Sequence, residues 1–442
     1  MARNFELVLK GGTVVNQDGT GVRDVGIRDG RIAAIGTIDP QRAGEIIDAR
    51  GLHILPGVID SQVHFREPGL EHKEDLETGS CAAVLGGVTA VFEMPNTKPL
   101  TTSAQTLADK VARARGRMFC DFAFYVGGTR ENIDDIPSLE RLEGAAGVKV
   151  FIGSSTGDLL VDDEASLDRI IANLGRRAAF HAEDEERLKE RMGLRREGDP
   201  SSHPEWRDEE AALIATTRLV RLAEKYKKRI HVLHISTAAE MAFLEMHKDW
   251  ASVEVTPHHL TLVAPECYRE LGAYAQMNPP VRDDSHRQAL WAGLISGVVD
   301  VLGSDHAPHT REEKECPYPA SHSGMTGVQT LVPVMLDHVN AGRMTLERFV
   351  DLTSHGPQRL FGIKGKGRIA AGYDADLTIV DLQREETITN DQIASRCGWT
   401  PYHGRKVKGW PVGTIVRGTK VMWDGEIMQP ARGEPVAFFE GY

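Results

Sequence analysis

The sequence is short of cysteine, of excess positive charge and of long apolar runs, and each shortage removes a class of function. Cysteine occurs only 5 times in 442 residues, as Cys81, Cys120, Cys267, Cys316 and Cys397. The number is odd, the spacing wide and no CxxC pair occurs, so reduced thiols of a cytoplasmic protein are expected rather than a disulfide framework. Lysine and arginine number 52 against 64 aspartates and glutamates, a formal net charge of −12. That balance argues against a nucleic-acid partner, which needs a basic face. It leaves room for a small anion held by one or two local cations. No apolar run reaches the roughly 18 residues of a membrane span. The opening Met1 to Lys10 also lacks the apolar stretch of a signal peptide.

What is present is ordinary globular material, 41% hydrophobic and 26% charged, enough for one large domain with or without a small companion. Both ends read as short strands. Phe5 to Leu9, Thr13 to Val15, Val25 to Arg28 and Arg31 to Ile35 are β-prone, and Asp29-Gly30 between the last two is a strong hairpin signal. Near the other end, Asp376 to Val380, Gly413 to Val416 and Thr419 to Trp423 repeat the pattern. The two ends together predict one small β-sandwich, residues 1–54 with 362–442.

The intervening residues, 55–361, alternate β-prone runs with helical patterns. Strand candidates are Val88 to Glu93, Asp121 to Val126, Gly147 to Ile152, Ala178 to His181, Arg229 to His234, Ser252 to Thr256 and Val299 to Leu302. Helical patterns run near Asp75–Leu85, Glu209 to Lys227 and Ser285 to Ile295. Such alternation predicts an α/β fold with parallel strands and covering helices, closing as a (β/α)8 TIM-like barrel. In that fold catalytic residues sit at the C-terminal ends of the strands.

The chemically capable residues fall at those ends. Val58 to Asp60 runs into Gln62, His64 and Arg66. Ala90 to Glu93 runs into Asn96, Val148 leads to Lys149, and Ala179-Phe180 ends in His181. Val232-Leu233 ends in His234, and Val301-Leu302 leads to Asp305 and His306. Any one of these is ordinary alone: a strand-end histidine is usually a structural hydrogen-bonding group, and Lys149 would be a salt-bridged lysine. Jointly, His64, His181, His234 and Asp305 at successive strand ends converge on one volume. Imidazoles with a carboxylate suit zinc or a similar divalent metal.

With these residues in view, the chain resembles the amidohydrolase superfamily, and within it the group of dihydroorotases, hydantoinases and allantoinases. The resemblance covers essentially the whole chain. His64-Phe65-Arg66-Glu67-Pro68-Gly69, Met94-Pro95-Asn96-Thr97, Asn278-Pro279-Pro280-Val281-Arg282 and Ser304-Asp305-His306-Ala307-Pro308-His309 are similar to dihydroorotase motifs. The resemblance implies a metal-bearing barrel with a β-sandwich from both ends, one or two zinc ions, and a carbamylated Lys149 bridging them. It implies reversible hydrolysis of dihydroorotate to N-carbamoyl-aspartate in pyrimidine biosynthesis. Asp305 would serve as general base and then general acid. Arg66, Asn96 and His309 would hold the substrate carboxylate, Asn278 would contact substrate, and the Gly324 to Gly327 segment would offer backbone groups to the ring amide. A homodimer is implied as well. Hydantoinase or allantoinase activity is the near alternative. A non-catalytic partner of an aspartate transcarbamoylase is the distant one.

One departure stands out. The family carries His-x-His after the first barrel strand, and here Gln62 holds the first position. A glutamine carbonyl is a poorer zinc ligand than imidazole, so weaker binding, a one-metal enzyme or a loss of activity follows as an alternative. Several residues carry plainer expectations. His306 adjoins the site without entering it, and His258 and His259 are not ligands. Residues 183–190 form a solvated helix face, Cys81 is core, and Trp206, Trp291, Trp399, Trp410 and Trp423 pack. Arg311 to Ser323 reads as a loop over the site.

Overall fold

The computed structural model describes residues 4–153 and 159–439. Residues 1–3, 154–158 and 440–442 lie outside the described residues, and with them the outermost positions of the expected terminal unit.

Five strands open the chain: β1 Phe5–Asn16, β2 Gly19–Arg28, β3 Arg31–Gly36, β4 Ala43–Asp48 and β5 His53–Pro56. The turn between β2 and β3 is Asp29-Gly30, with φ of 52° and 71°. Both values are left-handed, the conformation a tight right-twisted hairpin requires.

Eight parallel strands follow: β6 Val58–Val63, β7 Val88–Glu93, β8 Asp121–Gly127, β9 Ala145–Phe151, β10 Ala178–His181, β11 Ile230–Val232, β12 Ala251–Val255 and β13 Val301–Leu302. They pair in chain order from β6 to β13. The circle closes through a parallel bridge between Val63 and His306, with the His64 amide donating to the His306 carbonyl at 2.7 Å. Every residue of β6 to β9 is buried. That is why β7 to β9 read as largely apolar runs rather than as alternation.

The chain then returns to the first sheet with β14 Leu377–Thr387, β15 Lys406–Val416, β16 Thr419–Trp423 and β17 Glu426–Ile427. β14 pairs antiparallel with β5, Leu377 opposite Pro56, so both ends of the chain share one nine-stranded mixed sheet. Leu9, Val25, Ile27 and Ile54 from one end and Leu377, Ile379 and Ile415 from the other form its apolar core. Buried Lys366 fastens this sheet to the barrel, reaching Asp376 and Asp121 at 2.5 Å each. The final segment returns to the barrel, where Val436 and Phe438 pack on Phe92 and Phe361.

Three expectations need correction. Residues 183–190 are a solvated face only in part: the helix is Glu185–Arg191, Glu186, Lys189 and Glu190 are exposed, but Glu183 and Asp184 are buried because they answer buried Arg207 and half-buried Arg218. Arg311 to Ser323 is not all loop. Thr310 and Glu313 form a reciprocal capping box that starts a helical turn, Arg311–Glu315, which is the local signal for a helix start. Cys81 lies on the predicted helix, Leu76–Leu85, but is half-buried, and Trp410 and Trp423 are half-buried too. Among the described residues, no helix is long and apolar enough to cross a membrane.

Candidate active site

A cavity of about 160 Å³ opens at the C-terminal ends of the barrel strands. Gln62, His64, Arg66, Asn96, Lys149, His181, His234, Asn278, Asp305 and His309 all line it. The structure therefore brings every candidate residue to one place. Three of them turn inward through left-handed backbone: Arg66 at φ 66°, His234 at 38° and Asp305 at 48°. Each such position costs a non-glycine residue roughly 1–3 kcal/mol and persists where surrounding packing enforces it.

One wall is built for a cation. His181 Nε2 lies 2.9 Å from Glu183 Oε2, and Glu183 is held by Arg207 at 2.8 Å. Burial raises the Glu183 carboxyl, but Arg207 and His181 outweigh it and hold the group below the usual carboxylate range. An ionised carboxylate only accepts, so His181 donates through Nε2 and keeps a lone pair on Nδ1. That Nδ1 lies 3.1 Å from His234 Nε2. Two nitrogens each about 2.0–2.1 Å from one tetrahedral zinc would be separated by roughly 3.3–3.4 Å. The pair is thus spaced to share an ion. Burial pushes both imidazoles below their ordinary value, and a neutral imidazole is the ligating form.

Across the cavity, His64 Nδ1 contacts Asn96 Oδ1 at 2.8 Å, which leaves the Nε2 lone pair facing Asp305 Oδ1 at 3.3 Å. Gln62 Nε2 donates to the same oxygen at 2.9 Å. Lys149 Nζ is buried with no hydrogen-bond partner among the described residues, as are His234 Nδ1 and Gln62 Oε1. Burial lowers the Lys149 amine to about 7 against the pull of Asp305 and Glu254. A buried amine, three neutral imidazoles and a carboxylate with unused lone pairs make a donor set that fits a divalent metal.

The other wall is cationic. Arg66 is buried, its guanidinium 3.3 Å from His309 Nε2 and 3.2 Å from the Pro308 carbonyl. No carboxylate pairs with Arg66 in the hydrogen bonds and ion pairs of the described residues. Asn96, having spent its carbonyl on His64, keeps its amide hydrogens for the cavity. Asn278 lines the cavity while its Oδ1 meets His203 Nε2 at 2.8 Å. Gly324 lines it too, at φ 145° and with the Ala307 carbonyl where a Cβ would sit, so the backbone approaches without a side chain. His306 stands behind the wall, its Nδ1 accepting from the Gly327 amide at 3.1 Å. His258 Nδ1 meets the Tyr402 hydroxyl and His259 Nε2 the Pro279 carbonyl, and neither histidine lines the cavity.

Sequence reasoning missed Lys73, Glu183, Glu313 and Lys314. Lys73 bonds Glu313 at 2.9 Å and lies 3.2 Å from His309 Nδ1. Lys314 gives its ammonium to three carbonyls: Gln276 at 3.3 Å, His322 at 2.7 Å and Gly324 at 3.0 Å. The signal was local, in Thr310-x-x-Glu313, but its partners lie far away in sequence. His309, Glu313 and His322 also lie close enough to suggest a metal cluster. Lys73 and Arg66 already stand against His309, so that corner is hostile to a further cation.

The amidohydrolase family model matches residues 53–421. The chain is 38% identical over 425 residues to a dihydroorotase of Halobacterium salinarum, covering 94% of this chain and 96% of that protein. It is 36% identical to a dihydroorotase of Pyrococcus abyssi, covering 98% of each. Among solved structures it is similar to the L-hydantoinase (dihydropyrimidinase) of Arthrobacter aurescens, with a TM-score of 0.93, 31% identity and 98% and 99% of the two chains covered.

Proposed function

The chain belongs to the amidohydrolase family, and we propose that it is a dihydroorotase, a hydrolase of a cyclic amide C–N bond that interconverts dihydroorotate and N-carbamoyl-aspartate. One observation carries the choice within the family. Buried Arg66 and His309, 3.3 Å apart, face the cavity opposite the His64, His181, His234, Asp305 and Lys149 wall. Dihydroorotate has an exocyclic carboxylate to meet that pair, whereas hydantoin and allantoin do not.

A metal would be held from within the donor set of His64, Lys149, His181, His234 and Asp305, whose imidazole-rich chemistry favours zinc. A divalent metal, when bound, polarises the amide carbonyl and acidifies water. The remaining work falls to this chain. Arg66 grips the substrate carboxylate in bidentate fashion, with Asn96 and His309 donating beside it, and the Gly324 backbone and Asn278 orient the ring. Asp305 accepts the proton of the attacking water as oxygen bonds to the carbonyl carbon. The ring C–N bond then breaks, and Asp305 returns that proton to the departing nitrogen. Near neutral pH a substantial fraction of the buried Lys149 amine is uncharged. That is the form that adds carbon dioxide and loses a proton to give an anionic carbamate ligand.

The same reading carries a cytoplasmic enzyme of pyrimidine biosynthesis acting as a homodimer, with residues 55–361 as the catalytic unit and 1–54 with 362–442 as its companion. The test is turnover of dihydroorotate and N-carbamoyl-aspartate by purified protein with zinc and bicarbonate, followed by ultraviolet absorbance, beside hydantoin and allantoin. Activity on dihydroorotate that a chelator removes is expected. Metal-loaded protein that turns over only hydantoin or allantoin overturns the substrate. Inactive protein that binds no metal points to the transcarbamoylase partner.

A further inference from the structure

We propose that Gln62 makes this a one-metal centre: a single divalent cation is held from the His181 and His234 side, while Gln62 reserves Asp305 for proton transfer. The inference rests on the hydrolase reading of the same cavity and concerns how many ions that cavity holds.

Two donor pairs face the cavity and they are not equivalent. His181 Nδ1 and His234 Nε2 are 3.1 Å apart, with Glu183 fixing the His181 tautomer so that a lone pair points inward. This pair has the chemistry and spacing of two ligands on one ion.

The opposite pair is His64 Nε2 and Asp305 Oδ1, 3.3 Å apart. Here Gln62 intervenes. It is 1% exposed, fixed next to the C-terminal end of the first barrel strand, and its amide contacts Asp305 Oδ1 at 2.9 Å. A carboxylate oxygen accepts only, so the touching atom is the amide nitrogen with its hydrogens. An amide N–H offers a cation no lone pair. It also presents the positive end of a bond dipole to the oxygen that a second ion needs. As a ligand Gln62 could offer only a neutral amide carbonyl, which zinc prefers less than imidazole. The Oε1 atom is buried with no partner among the described residues. The amide nitrogen is thus committed to Asp305, and what remains is a weaker zinc donor than the imidazole pair across the cavity.

The experiment strips the full-length protein with a chelator and reloads it with zinc and bicarbonate. Bound zinc per chain is then counted by mass spectrometry after desalting, with circular dichroism as the check on folding. The expected counts are one zinc in the wild type, two in Gln62→His, one in Gln62→Met, one in His64→Ala and none in His181→Ala. Two zinc ions in the wild type, or none, overturn the proposal. A single zinc in Gln62→His removes Gln62 as the cause, and loss of zinc from Gln62→Met makes Gln62 a ligand; both overturn it. Should Gln62→Met fail to fold, the wild-type count and the Gln62→His comparison still decide. Failure of the hydrolase reading is separate: protein with one zinc that opens no cyclic amide sinks the proposed function and leaves the ion count standing.

Discussion

Lys73 Nζ lies 3.2 Å from His309 Nδ1, and an ammonium can only donate. His309 is held from both sides: its Nδ1 also lies 3.4 Å from Glu313 Oε2, and its Nε2 lies 3.0 Å from the Ser323 carbonyl and 3.3 Å from Arg66 Nη2. The lysine thus helps to fix the His309 ring beside Arg66, where a substrate carboxylate would sit. Glu313 holds Lys73 from behind, and burial of Glu313 is outweighed by its bonds to His309 and Lys73, which keep it ionised.

Lys73→Met should raise KM for dihydroorotate about 10- to 100-fold, the loss of a charge-assisted hydrogen bond, with a smaller change in kcat. Lys73→Arg should recover part of it. Steady-state kinetics on dihydroorotate and on dihydrouracil, which lacks the carboxylate, check this. An equal loss on both substrates would show that Lys73 only supports the fold.

Asp305→Asn should lower kcat by at least about 10²- to 10⁴-fold, the usual contribution of general acid–base catalysis, with zinc still bound. Turnover and metal content measured on the same sample test it, and near-normal turnover would remove Asp305 from proton transfer.

Glu183→Ala should both destabilise the protein and weaken its metal. The mutation strips a buried arginine, Arg207, of its carboxylate, at a cost of about 3–5 kcal/mol. It also frees the His181 tautomer, worth about 10- to 100-fold in metal affinity. Denaturant unfolding and zinc titration read the two effects separately, and unchanged zinc affinity would deny Glu183 its orienting role.

Beneath the site, burial pushes Asp60 up to about 7 and Glu254 up to about 8, despite hydrogen bonds from Ser304 and Ser61 that oppose the shift. Their ordinary values are 3.8 and 4.5. The folded chain thus holds protons that the unfolded chain has lost, and this contribution to stability is full at acid pH and disappears as pH rises through about 8. Glu254→Gln keeps an acceptor for Ser61 without the ionisation. Unfolding free energies at pH 5.5 and pH 9 should show the variant gaining on the wild type by at least about 2 kcal/mol across that range. A constant gap would mean that Glu254 is ionised at both pH values.

Much of the architecture was legible because it is carried by local rules. Asp29-Gly30 dictates a hairpin, Asp75 and Asp208 cap the helices that begin beside them, and Val88–Glu93 is a strand in sequence and in structure. The burial of residues 183–185 was not legible. Glu183 looks like its charged neighbours until the fold sets Arg207 and His181 against it. The helical turn at Arg311 was legible in its capping pattern, but its partners Lys73 and Gln276 are distant along the chain.

The sequence by itself determined the parallel-strand alternation, the two β-rich ends and the placement of His64, Lys149, His181, His234 and Asp305 at strand ends. Backbone periodicity and turn chemistry are properties of neighbouring residues. Only the tertiary structure decided which of those residues serves which. Closing the barrel brings Gln62 within 2.9 Å of Asp305, although 243 positions separate them in the chain. A hydrogen bond reads distance in space, and no local pattern encodes that.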